Sequence, residues 1–197
     1  IKRHQSYETI KRPIEGFLAV IMFIILSPLF ILIAILIKLT SSGPIIYRQL
    51  RVGRMGTKFT LYKFRTMKTD AEANGPQWSG KNDERITLIG KILRRTHLDE
   101  FIQLINIIKG DLSFVGPRPE RPEFVKDLET TIPYYEIRHL IKPGLTGWAQ
   151  INYRYGASIN DSYQKLQYDI YYLKNRAAIL DIAIIIRTVK LFFINIE

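Results

Sequence analysis

Between positions 17 and 37 the chain is apolar at every position except Ser27 and Pro28. At about 1.5 Å of rise per residue, such a run is long enough as a helix to cross about 30 Å of hydrocarbon. It is too long for the core of a secretory signal, and Lys38-Leu39-Thr40 after it offers no small-residue cleavage site. Pro28 stands mid-run, where it lacks a donor and its ring crowds the carbonyl of Ile24, so a kink is expected there. In lipid the freed carbonyl needs a partner, and the nearest is the Ser27 hydroxyl. Both flanks are basic: Lys2, Arg3, Lys11 and Arg12 before the run, then Lys38, Arg48, Arg51, Arg54 and Lys58 after it. A spanning helix usually carries its Lys/Arg excess on one side only. A helix that breaks at Ser27-Pro28 and returns to the same face fits both features, and an ordinary spanning anchor is the alternative.

Beyond a turn cluster at 41–44 the pattern changes period. Residues 45–52 and 58–65 are rich in β-branched and aromatic types and flank a glycine-bounded loop, which predicts a β-hairpin. The period of two puts Phe59, Leu61, Lys63 and Arg65 on one face, so Lys63 and Arg65 read as two cations aimed at one region or as a solvated strand face. Residues 69–85 are a polar loop whose Trp78 suits a membrane interface. From Leu98 the apolar positions Phe101, Ile102, Ile105 and Ile108 keep helical spacing, with Gly110 as the stop and Thr96–Asp99 resembling a capping box. Asp99 and Glu100 then fall in a first helical turn, where acids are routine stabilisers. Arg94 and Arg95 before them, and the rigid turn Gly116-Pro117-Arg118-Pro119 after them, make a site the competing interpretation. The last apolar run, 177–197, holds four charges, at Asp181, Arg187, Lys190 and Glu197. Each cation would cost about 2.5–3.5 kcal/mol at the bilayer centre, so an interfacial helix is expected rather than a second span.

Charge and composition narrow the partners. The 197 residues carry 29 Lys and Arg against 18 Asp and Glu, a net charge of +11 that calls for an anion: nucleic acid, acidic lipid or a phosphorylated substrate. Nucleic-acid binding needs cations and aromatics interleaved on one exposed face, and the cations here are spread over unlike motifs. Having no cysteine excludes a disulfide scaffold, a thiolate nucleophile and sulfur-ligated zinc. His4, His97 and His139 are too scattered to read as a metal cluster, and the P-loop, nucleophile-elbow and H-E-x-x-H patterns are missing.

Several motifs in order carry a more specific message. They are the Ser27-Pro28 break, Tyr62-Lys63-Phe64-Arg65-Thr66-Met67, Leu98-Asp99-Glu100, and Lys109-Gly110-Asp111 running into Ser113-Phe114-Val115-Gly116-Pro117-Arg118-Pro119. Further on come Lys142-Pro143-Gly144-Leu145-Thr146-Gly147-Trp148-Ala149-Gln150-Ile151-Asn152 and Tyr168-Asp169-Ile170-Tyr171-Tyr172. From residue 10 to the end the chain resembles the bacterial sugar transferases, the monotopic phosphoglycosyl transferases that start surface-glycan assembly on a polyprenol carrier. The resemblance implies an α+β, predominantly helical fold on the cytoplasmic face of the bacterial inner membrane, with a re-entrant helix, a small hairpin and interfacial amphipathic helices. The expected division is a basic segment at 1–13, the membrane helix at 14–40, a catalytic region at 41–176 and the interfacial helix at 177–197. It further implies that Asp99 is the nucleophile and that Glu100 contributes to a Mg2+ site. Lys63, Arg94, Arg118, Arg154 and Asp169 are carried over as substrate-site residues, and Arg65 joins them from the strand pattern. Chains with Asn152-Tyr153-Arg154-Tyr155-Gly156 often belong to longer members, and this one begins at Ile1, so the catalytic part of such a protein is expected.

The implied partners are a UDP-sugar, polyprenol (undecaprenyl) phosphate and membrane lipid, without nucleic acid and with a homodimer allowed for. The chemistry is also reasonable on general grounds. Phosphoryl transfer asks for positioning and charge neutralisation, a carboxylate is a recognised nucleophile, and Mg2+ is held by one or two carboxylates plus substrate phosphates. An Asp99 at a helix N-terminus is expected to be ionised at neutral pH. The rival reading is a membrane-anchored basic module that binds acidic lipid or nucleic acid. The sugar is not legible.

Overall fold

The computed structural model describes residues 2–71, 75, 83–153, 156 and 158–194, with the side chains of 2–6 and 192–194 excluded. Helix α1, Lys2–Thr40, extends further toward the N-terminus than the apolar pattern predicts, and its helical backbone carries through both Pro13 and Pro28. The Ser27 hydroxyl donates to the Ile24 carbonyl at 2.7 Å, the bond expected where proline has removed the regular donor. One stripe of α1 is buried: Lys11, Ala19, Phe30, Ile33 and Ile37, at spacings that keep to one helical face. The opposite surface exposes Ile14, Phe17, Ile24, Ile25, Ile31, Leu32 and Leu39, an apolar expanse suited to lipid and costly in water.

Strands β1 (Ile46–Val52) and β2 (Lys58–Phe64) pair antiparallel with Ile46 opposite Phe64, within one residue of the predicted hairpin. Helix α2 (Leu88–Arg95) is capped by Thr87, which accepts from the Gly90 N–H at 3.0 Å. The predicted helix from Leu98 is instead two elements: a 3-10 segment, Leu98–Gln103, then α3, Leu104–Lys109. Thr96 does not cap it. Its hydroxyl donates back to Ile92 at 2.8 Å and closes α2. Gly110 is the stop expected, left-handed at φ 83°. Asn106, fully buried on α3, bonds the β2 backbone twice, accepting from the Tyr62 N–H at 3.1 Å and donating to the Thr60 carbonyl at 2.7 Å.

Next come β3 (Ser113–Val115), α4 (Pro122–Thr131), a 3-10 segment at Tyr135–Leu140 and β4 (Gly144–Thr146). Strands β3 and β4 pair in parallel, which sets the two glycine-proline motifs side by side. A Cβ on Gly144 would lie 2.0 Å from the Gly116 nitrogen, so only glycine permits this approach. Helices α5 (Trp148–Asn152), α6 (Ile159–Asn175) and α7 (Ala178–Ile194) complete the chain, with Ser158 and Asp161 forming a capping box on α6. Helix α7 packs Asp181 and Ile184 inward and leaves Arg187 and Lys190 exposed. Asp181 is buried and the Thr188 and Thr146 hydroxyls are 2.7 Å apart, while Ile179, Ile182, Ile186 and Val189 are exposed.

Candidate active site

The turn into the 3-10 segment bends at His97, whose φ of 49° is left-handed, a conformation that costs a non-glycine residue free energy. The next residues are Leu98, Asp99 and Glu100. The β2 strand brings Lys63 to Glu100, and the turn after β3 brings Arg118 to it. Glu100 Oε1 accepts from Lys63 Nζ at 2.7 Å and from Arg118 NH2 at 2.8 Å, so one carboxylate oxygen is shared by two cations. Burial opposes ionisation of Glu100, but Arg118 and Lys63 outweigh it and hold the carboxyl well below its ordinary range. Asp99 is treated oppositely. It is 7% exposed, and burial together with the Glu100 charge pushes it up to about 6 against the pull of Lys63, Arg94 and Arg118. It lies in a six-residue 3-10 segment rather than at the N-terminus of an α-helix, and its carboxyl is raised rather than lowered. At neutral pH it is still mostly ionised.

Of the candidates from sequence, Asp99, Glu100, Lys63, Arg94 and Arg118 form one electrostatic cluster. Arg94 Nε also donates to Thr66 Oγ1 at 2.9 Å, anchoring it beside β2. Arg65 does not project with Lys63. It lies past the end of β2 and donates to the Ser41 and Ser42 carbonyls, which latches the exit of α1. Asp169 is buried on α6 and paired with Arg138, through Nε at 3.1 Å and NH2 at 2.9 Å. Ser27 and Pro28 lie in the apolar stretch of α1. Arg154 and Trp78 lie outside the described residues. Arg138 carries no signal in the sequence, because an arginine within TyrTyrGluIleArgHis falls in no periodic or spaced pattern.

Among the described residues no group of three or more His, Asp or Glu could hold a metal alone. A single carboxylate such as Glu100 suits Mg2+, because that ion can take its remaining ligands from water and phosphate.

A family model described as "Bacterial sugar transferase" matches residues 6–195. The chain belongs to the bacterial sugar transferase family. Among curated members, a UDP-N-acetylgalactosamine-undecaprenyl-phosphate N-acetylgalactosaminephosphotransferase of Aeromonas hydrophila is 41% identical over 93% of this chain and 44% of its own length. A UDP-glucose:undecaprenyl-phosphate glucose-1-phosphate transferase of Escherichia coli K12 is 37% identical over 94% of this chain and 40% of its own. The exopolysaccharide production protein PSS of Rhizobium leguminosarum bv. phaseoli is 37% identical over 91% of this chain and 93% of its own. The chain thus spans less than half the length of the first two relatives and nearly all of the third.

Proposed function

We propose that this chain transfers a sugar-1-phosphate from a UDP-sugar to polyprenol (undecaprenyl) phosphate, releasing UMP, as a first membrane step of surface glycan or exopolysaccharide synthesis. The observation that carries the reading is the buried Asp99 beside a Glu100 locked by Lys63 and Arg118, in a family whose relatives are named for this transfer. In the first step an Asp99 carboxylate oxygen attacks the sugar-linked phosphorus, and the bond to UMP breaks with its electron pair leaving on UMP. In the second, an oxygen of polyprenol phosphate attacks the same phosphorus, and the bond to Asp99 breaks to restore the carboxylate. Lys63 and Arg118 neutralise charge on the phosphoryl oxygens, the main demand of such transfers. Glu100 is the residue that would hold Mg2+, which when bound supplies further neutralisation at the diphosphate.

The acceptor is a lipid, and α1 fits a re-entrant arrangement on the cytoplasmic face. Lys11 and Glu15, before the apolar run, bond Val115 and Ser113, whereas Ser41, after it, bonds Arg65. Both flanks thus touch the same polar body, which supports their lying on one side of the membrane. UMP release should be measured with detergent-solubilised protein, Mg2+, polyprenol phosphate and a panel of UDP-sugars, and a phosphosugar adduct sought by mass spectrometry without acceptor. Release with one or more donors and an adduct on the Asp99 peptide are expected. A protein that releases no UMP from any donor would return the reading to a membrane-anchored basic module.

A further inference from the structure

The turn that carries Arg118 contains Pro117 and Pro119, which have no N–H, so their carbonyls are their only backbone hydrogen-bonding handles. Four successive carbonyls are each taken by a different donor. The Gly144 N–H holds Pro117, Arg138 NH2 holds Arg118, Arg51 NH1 holds Pro119 and the Val52 N–H holds Glu120, all at 2.9 Å. Arg138 stands out among these donors. It is 6% exposed, and its remaining bonds go to Asp169 and to the Tyr135 hydroxyl, which are 2% and 1% exposed. A buried guanidinium needs its charge matched and its fork filled, and this one has both.

We infer that Arg138, locked by Asp169 and Tyr135, is a positioning residue for the transfer: through the Arg118 carbonyl it sets the Arg118 guanidinium against Glu100. The inference rests on the function proposed above. It also gives Asp169 a role unlike that of a substrate contact, since its carboxylate is buried against Arg138 and acts through it. Arg138→Lys keeps the charge but has no fork with which to reach Asp169, Tyr135 and the Arg118 carbonyl together.

The test is a double-mutant cycle on UMP release, paired with hydrogen exchange. Arg138→Lys should lower kcat by about 10- to 100-fold through misplacement of Arg118. Added to Arg118→Lys, it should cost little more than Arg118→Lys alone, because both act on one contact. Losses that multiply would overturn the inference, since a merely structural role acts whether or not Arg118 is present. Should Arg138→Lys fail to fold, Asp169→Asn and Tyr135→Phe carry the same cycle. The Gly144 and Val52 amides should exchange faster in the single variant, with β2 unchanged. If the wild type released no UMP, the function above would fall and exchange alone would judge the clamp. Unchanged protection at Gly144 and Val52 would then overturn it.

Discussion

Asp99 and Glu100 are adjacent in sequence and titrate in opposite directions because their neighbours differ. Lys63 and Arg118 bond Glu100 directly, while at Asp99 burial and the charge of Glu100 outweigh the pull of Lys63, Arg94 and Arg118. Two carboxyls pushed apart in this way divide the work, one a permanent anion and the other a carboxylate poised near the working pH. Asp99→Asn should therefore abolish UMP release and the adduct, by about 1000-fold or more, with an unchanged circular dichroism spectrum. Activity that persists after deamidation is excluded by mass would refute a nucleophilic Asp99. The raised carboxyl has a sign for stability as well. Its folded value of about 6 lies above the ordinary 3.8, so the native state holds a proton that the unfolded chain has already released. Stability from this group falls as pH rises from about 4 to 6 and does not recover above it. Thermal unfolding at pH 7.5 should find Asp99→Asn more stable than wild type, by up to about 3 kcal/mol, with the difference vanishing near pH 4. UMP release by the wild type should instead rise around pH 6, where the folded Asp99 carboxyl ionises.

At the scale of elements, short strands and buried polar latches hold the parts together. The β3–β4 pair depends on the contact of Gly116 with Gly144, so Gly144→Ala, with its Cβ 2.0 Å from a backbone nitrogen, should push the strands apart. It should lower the melting temperature by several degrees and remove activity together, as read by calorimetry and UMP release. Helix α1 is latched to α7 by Lys11, which pairs with Asp181 at 2.7 Å and also donates to the Val115 carbonyl and the Tyr172 hydroxyl. Lys11→Met would leave Asp181 buried with tyrosine hydroxyls but no cation, at a cost of about 3–5 kcal/mol. Lys11→Met with Asp181→Asn should restore much of that loss in chemical denaturation. A double variant as unstable as the single would show that the charge pairing is not what the latch supplies.

For the whole molecule the question is where the membrane lies. The exposed apolar faces of α1 and α7 give the protein two surfaces that water does not favour. Cysteines placed at Arg12 and Lys38, in a chain that has none, should react with an impermeant reagent from the same side of intact and opened cells. Labelling from opposite sides would establish a spanning helix. Much of this arrangement is written locally. The apolar run, the proline within it, the hairpin and the glycine stop at Gly110 each follow from near neighbours, because backbone sterics and side-chain periodicity act over a few residues. The cluster of Asp99 and Glu100 with Lys63, Arg94 and Arg118 was legible as a set of motifs, whereas its geometry was not. Lys63 and Arg65 share a strand pattern, yet only Lys63 meets Glu100, since Arg65 lies beyond the strand end and is captured by the carbonyls of Ser41 and Ser42. The single helix expected from Leu98 became two elements, and the Thr96 cap turned back on α2. The sequence by itself determined the long apolar helix, the residue types of the site and their order. Only tertiary structure decided which cation meets which acid, the raised carboxyl of Asp99 and the Arg138–Asp169 clamp, because burial and charge pairing depend on residues brought together from distant parts of the chain.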